Sequence, residues 1–228
     1  QLYLKSGIGF HSNDTRVVVN NLGKDILPRA YGLDLGTILK PTSNLVVNTA
    51  LWYLFLEQEF VYVGDAGIVE PSGRTERFGL DLGLRYQLND WLFFDADATY
   101  TDAKSLDDPS GENFIPLAPK FTAIGGLSVS NLDNFSGGLR MRYLGDRPAN
   151  EDNSIIAEGY FVTDLNLNYK LTKNVTLGVI VENLFDVDWN ETQFATESRL
   201  ANEVDAVEEI HFTPGTPFFV RGSITYRF

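Results

Sequence analysis

Hydrophobic and polar side chains alternate along most of this chain, with the two-residue period of β-strands whose two faces meet different surroundings. The alternation is cleanest from Thr75 to Leu88: Phe78, Leu80, Leu82, Leu84, Tyr86 and Leu88 share one parity, and Arg77, Asp81, Arg85 and Gln87 share the other. The same reading holds for Ala30–Lys40, Leu92–Asp102, Gly159–Lys170 and Pro217–Phe228, and more weakly for Leu2–Phe10, Leu45–Val63, Lys120–Ser130, Phe135–Gly145 and Val175–Asn183. The pattern therefore predicts an all-β chain of ten strands and no helix.

The connections alternate in length. Short links fall at Pro41–Asn44, Asn89–Trp91, Asn131–Asn134 and Leu171–Asn174; long polar ones fall at His11–Pro28, Gly64–Arg74, Ser105–Pro119, Asp146–Glu158 and Asp186–Gly215. Tight turns on one rim and long loops on the other describe an antiparallel up-and-down meander, the habit of transmembrane β-barrels. On the apolar parity, Phe78 and Tyr86, Phe161 and Tyr169, and Phe218 and Tyr226 are each eight residues apart. Eight tilted strand residues rise about 20 Å, close to the ~25 Å apolar band between the aromatic girdles of such barrels. Amphipathicity alone does not say which face is outside, since a soluble lipocalin-like barrel would turn its apolar parity inward; the loop asymmetry favours the membrane.

Parity also fixes one register. If Leu88 and Leu92 both face lipid, Asn89-Asp90-Trp91 is a three-residue turn and Arg85 lies opposite Asp95. Such a pair contributes about 0.2–1 kcal/mol and holds register. Arg77, Asp81, Asp97, Arg140 and Arg142 fall with Arg85 and Asp95 on the wet parity, predicting a lumen wall of mixed charge.

Composition excludes several function classes. The 228 residues carry 31 acidic and 18 basic side chains, a net charge of −13 without a basic cluster, which argues against a nucleic-acid partner. With no cysteine, thiolate metal sites, disulfides and Cys nucleophiles are excluded. The longest apolar run, Ala50–Leu56, is too short for a membrane-spanning helix. A chain that opens on Gln1 and enters at once on strand-like sequence reads as a processed or truncated piece.

Thr213-Pro214-Gly215-Thr216-Pro217, followed by an alternating strand that closes on Tyr226-Arg227-Phe228, resembles the C-terminal end of TonB-dependent outer-membrane receptors. Val181-Glu182-Asn183-Leu184-Phe185-Asp186 resembles the segment on their penultimate strand, and Gly9–Asp14 and Arg147-Pro148-Ala149 fit the style of their loops. Phe218 departs from the family, many of whose members carry Arg after the proline. The resemblance implies a 22-stranded barrel, of which this chain is the C-terminal portion without its plug domain. It further implies a Gram-negative outer membrane with its lipid and lipopolysaccharide as surroundings, and Tyr226 and Phe228 as a signal for the barrel-assembly machinery. It implies contact with TonB through a missing N-terminal region, and active uptake of a scarce ligand such as a ferric siderophore or another metal chelate.

Candidate chemistry is sparse. His11 near Asp14, and His211 after Glu208 and Glu209, are possible ligand contacts, although neither has metal-ligand spacing around it. Trp189, Phe194 and Phe212 punctuate the acidic 186–215 loop, as ligand-contact aromatics or as packing for the loop itself. No cofactor motif occurs. A passive porin is the alternative transport reading. An omptin-like protease would need Asp95 and Asp97 beside His211, yet the carboxylates fall near a short turn and the histidine in a long loop; Ser12 and His11 are adjacent and cannot form a triad.

Overall fold

Each alternating segment forms a strand. The computed structural model describes residues 1–12, 18, 25–63 and 68–228. Ten strands build one antiparallel sheet in chain order: β1 (Leu2–Phe10), β2 (Arg29–Thr42), β3 (Leu45–Val63), β4 (Ile68–Gln87), β5 (Leu92–Ser105), β6 (Phe121–Leu132), β7 (Phe135–Leu144), β10 (Tyr160–Lys170), β11 (Val175–Glu182) and β14 (Phe219–Tyr226). Two small hairpins lie outside it, β8 (Arg147–Pro148) with β9 (Ile156–Ala157), and β12 (Asn190–Ser198) with β13 (Val207–Pro214). Among the described residues no pairing joins β1 to β14, so the sheet is open at those two edges.

Two of the short turns share a construction. Leu88 N–H donates to Leu92 O at 2.9 Å while Asn89 Oδ1 accepts from the N–H groups of Trp91 and Leu92 at 3.0 and 2.9 Å. At the turn between β10 and β11 Thr172 Oγ1 does the same for Asn174 and Val175, at 3.2 and 3.0 Å. An Asn or Thr side chain that satisfies the turn amides replaces the glycine a two-residue hairpin needs. The three-residue turn keeps Leu88 and Leu92 on one face and places Arg85 opposite Asp95, as parity requires.

One face of the sheet is apolar and open. Leu80 and Leu82 are 45% and 44% exposed, with Leu33, Leu35, Leu51 and Leu167 in the same condition, so the apolar parity does not pack into a dry interior. Its two ends carry aromatic side chains: Tyr31, Tyr53, Phe78, Tyr100, Phe121, Tyr143 and Phe161 toward the loops, and Tyr86, Phe94, Phe135, Tyr169 and Tyr226 toward the turns. Beyond the loop-side row, polar pairs take over on the same face: Tyr31 with Glu57 and Tyr53 with Glu76, each at 3.0 Å, and Lys104 with Asp102 at 2.9 Å.

The other face is polar and filled by large side chains lying over glycines. Tyr3 covers Gly36, Trp52 covers Gly79 and Arg140 covers Gly126, where a Cβ would collide with its neighbours.

Three expectations need correction. Residues 68–74, expected within a loop, are the start of β4; Pro71 and Gly73 imitate turn chemistry but sit in the ladder beyond a β-bulge, with Gly73 at φ +73°. The 146–158 and 186–215 loops each contain a hairpin that parity does not reveal. And Arg85, though opposite Asp95, forms its ion pair with Asp97 on the diagonal, at 2.8 Å, because Arg140 already holds Asp95.

Candidate functional site

The polar face and the loops above it form a candidate site built from several elements, and it begins at the β3 bulge. Between Leu56 and Glu59 the register with β4 shifts, which turns Glu59 toward the polar face beside Arg77. Arg77 Nη2 donates to both Glu59 carboxylate oxygens at 2.8 Å and Nη1 to Thr75 Oγ1 at 3.2 Å; Thr75 Oγ1 donates to Glu59 Oε2 at 2.7 Å. Thr75 is fully buried.

Residues 106–120 fold back over this network as a roof. Phe114 N–H donates to Glu151 O at 3.0 Å and Leu117 N–H to Pro148 O at 2.7 Å. Leu117 adopts φ +61°, a left-handed conformation unfavourable for a bulky residue, and its side chain packs against Ala149, Ala157 and Ala195 with Ile155 and Ile210. Three loops thus share a small apolar core. Gln193 locks the largest of them in place: its Nε2 donates to Glu158 O at 2.7 Å and its Oε1 accepts from Glu158 N–H at 3.0 Å, in a side chain that is 2% exposed. Beneath the roof is a cavity of about 600 Å³, with Thr99, Thr101, Thr122, Arg77 and Glu59 as its polar side and Phe60, Ile115 and Leu117 among its apolar side.

Further along the same rim a hydrogen-bonded ring anchors β12–β13. Asn183, 1% exposed and at φ +50°, donates Nδ2 to Val187 O at 2.8 Å and to Thr216 O at 3.1 Å, and accepts from Val187 N–H at 2.9 Å. Its own N–H donates to Asp164 Oδ1 at 3.0 Å; Asp164 Oδ2 pairs with Arg142 at 3.2 Å. The Arg142 guanidinium lies 5.4 Å from the Trp189 ring, whose Nε1 donates to Thr216 O at 3.0 Å. Asp186 completes the junction by accepting from Phe218 N–H at 3.1 Å. The Glu182–Asp186 segment is therefore a structural clamp between the exit of β11 and the entry of β14. In the loops, burial lowers the pKa of Arg147, and the Ser154 N–H and hydroxyl hold Asp152 below the usual carboxylate range.

This fold has a match among known proteins. The family model described as TonB dependent receptor-like, beta-barrel, aligns with residues 7–184. The chain belongs to the TonB-dependent receptor-like β-barrel family. It is 21% identical over 215 residues to the pesticin receptor of Yersinia enterocolitica, an alignment covering 89% of this chain and 32% of that protein. To the catecholate siderophore receptor Fiu of Escherichia coli K12 it is 25% identical over 155 residues, covering 64% of this chain and 20% of Fiu. The crystal structure of Fiu in its closed form superposes with a TM-score of 0.71 at 18% identity, covering 99% of this chain and 33% of that one. The siderophore receptor PiuA from Acinetobacter baumannii superposes at 0.73 with 17% identity, covering 99% and 33%. The chain thus spans a third or less of the length of these relatives. Membership places it among receptors rather than outer-membrane proteases.

Within this TonB-dependent receptor barrel, the sequence-derived candidates divide into groups. Arg77, Asp81, Arg85, Asp95, Asp97, Arg140 and Arg142 share the polar face by register, and are tied to partners there: Asp81 accepts from Thr99 Oγ1 at 2.9 Å, and the arginines pair with Glu59, Asp97, Asp95 and Asp164. Trp189 is engaged with Tyr160, Arg142 and Thr216. Phe194 and His211 are opposite one another in β12–β13, with His211 Nε2 2.9 Å from Ser198 Oγ, and Phe212 is 59% exposed. His11 lies at the end of β1, its N–H donating to Pro28 O at 3.0 Å; Asp14 lies outside the described residues. Tyr226 and Phe228 lie with their tilted rings 6.3 Å apart at the turn-side end of β14. Sequence reading missed Glu59, Gln193 and the 115–119 roof. A bulge and two side-chain-to-backbone clamps leave no periodic trace; only Pro116 and Pro119 flanking Leu117 hint at a fixed loop.

Proposed function

We propose that this chain forms ten consecutive strands, the C-terminal portion, of a TonB-dependent receptor barrel in the outer membrane of a Gram-negative bacterium. The complete receptor takes up a scarce ligand such as a ferric siderophore or other metal chelate. The open apolar face between its aromatic rows meets lipid and lipopolysaccharide; the polar face lines the lumen. Open edges at β1 and β14 carry unpaired backbone groups that hydrocarbon does not tolerate, so further strands of the same receptor pair with them. A plug domain and the TonB-contacting segment belong to that remainder. Tyr226 and Phe228 serve as the signal read by the barrel-assembly machinery. The packed loops make first contact with ligand, with His11, Phe194, His211 and Phe212 on that side and Trp189 holding the hairpin in place.

The observation that carries this reading is the one-sided architecture: minimal turns at one rim, three loops packed around a common core at the other, in a sheet that aligns with the receptor family. The printed name of one relative, the catecholate siderophore receptor Fiu, supplies the ligand class. The test is iron-chelate uptake by cells carrying the full-length receptor, with and without functional TonB. TonB-dependent accumulation is expected; steady, large conductance in planar bilayers would instead make it a porin.

A further inference from the structure

Resting on the uptake reading, we propose that the roofed cavity is a binding site for an uncharged ligand, and that the receptor selects charge-neutral ferric chelates over polyanionic ones. At about 600 Å³ the cavity has the size of a site for one small organic molecule or part of one. Its chemistry is two-sided: hydroxyls from Thr99, Thr101 and Thr122 on the wall, and Ile115, Pro116 and Leu117 on the roof. Thr99 spends its proton on Asp81, so it can serve a ligand only as an acceptor.

Arg77, the cation among the described residues that line the cavity, is not available to an anion. Arg77 is held by both oxygens of Glu59 and by Thr75, and the two charged side chains are only 18% and 13% exposed. An anionic group entering here gives up its water and meets an arginine already compensated. The wall below repeats this arrangement, with Arg85 on Asp97, Arg140 on Asp95 and Arg142 on Asp164. The approach adds a second discrimination: residues 186–215 carry eight acidic side chains against Arg199 alone, a field that repels polyanions before they arrive. A neutral chelate meets neither obstacle, and it exchanges water for threonine hydroxyls and apolar roof. The roof is preset for this, since Leu117 is held in an unfavourable conformation by Pro148 and the loop core.

The full-length receptor in detergent would be titrated with two iron probes, a neutral ferric trihydroxamate and a trianionic ferric tris-catecholate, following quenching of tryptophan fluorescence. The neutral probe is expected to bind at least about tenfold more tightly. Ala118→Trp, which fills the cavity from the roof while keeping the backbone bond from Ala118 to Ile115, is expected to weaken it by about tenfold or more with normal heat-modifiable gel mobility. Glu59→Gln, which strips Arg77 of its counter-ion, is expected to shift the preference toward the trianion by a similar factor. Equal or tighter binding of the trianion by the unaltered receptor overturns the inference, as does an Ala118→Trp variant that binds the neutral probe normally; both leave uptake itself standing. Binding of neither probe overturns the inference, and TonB-dependent accumulation in cells then decides the uptake reading separately. Should Glu59→Gln fail to fold, the probe comparison and Ala118→Trp still decide.

Discussion

Arg140 on β7 holds Asp95 on β5 across an entire intervening strand, its Nη1 2.7 and 2.6 Å from the two carboxylate oxygens. The reach is possible because the β6 residue between them is Gly126, in register with both. A Cβ there would collide with Leu139 O and press on the Arg140 side chain. Gly126→Ala is therefore expected to destabilise the folded sheet by about 1–3 kcal/mol, the range of overpacking at a close-packed site. Urea titration of the membrane-inserted protein checks it. Asp95→Asn, which keeps the shape and removes the charge, should cost less; the reverse order would mean that the ion pair and not the glycine sets the local packing.

Asn183 is the pivot of the clamp between β11 and β14. Its side chain makes three hydrogen bonds to the backbones of Val187 and Thr216 in a buried site, and an asparagine tolerates the left-handed φ better than alanine does. Asn183→Ala leaves those groups unsatisfied and is expected to cost about 3 kcal/mol, mostly as local opening. Limited proteolysis gives the readout: cleavage within residues 199–206, between β12 and β13, should accelerate by about a hundredfold, while cleavage at the opposite, short-turn rim stays unchanged.

The sheet was legible in the sequence because burial on two unlike sides writes itself into every second residue, so β1 and β3 begin and end where parity puts them. The β12–β13 hairpin was not, because its strands are held by a few side chains, chiefly Gln193 and Ala195, rather than by one continuous apolar face; Glu197 even lies opposite Glu208. Ion partners were illegible for another reason. Parity fixes the face and the register, but arginine is long enough to choose the diagonal, as Arg85 does with Asp97, or the next strand but one, as Arg140 does with Asp95. The Glu182–Asp186 segment was legible as a family resemblance before it was legible as chemistry; its role as a clamp emerged only from the placement of Thr216 and Phe218 beside it.

The turn at Asp152 should loosen in acid. Its carboxylate accepts from Ser154 N–H at 3.0 Å and is held below the usual carboxylate range mainly by that bond. A depressed folded-state pKa means the contribution is complete above the unfolded value, about 4, and is lost as pH falls through the folded one. Amide exchange at Ser154, corrected for its intrinsic pH dependence, is expected to rise only below about pH 4, and Asp152→Asn should flatten that rise. An unchanged profile in the variant would assign the acid response to another group.

Leu82 separates a membrane-facing sheet from one that merely exposes apolar side chains to water. It lies on the open face, midway between Phe78 and Tyr86, and is 44% exposed. In hydrocarbon at that depth, arginine costs about 2–4 kcal/mol relative to an apolar residue, and the cost falls toward the interfaces. On a water-facing strand the same change is worth about 0.5 kcal/mol or less. Leu82→Arg is thus expected to lower the unfolding free energy in lipid vesicles by about 2–4 kcal/mol, while arginine at Phe78, beside the polar Glu76–Tyr53 pair of the loop-side rim, costs distinctly less. The gradient between the two positions is the decisive reading: equal small effects at both would mean that this face does not meet acyl chains, and the polar parity would then no longer line a lumen.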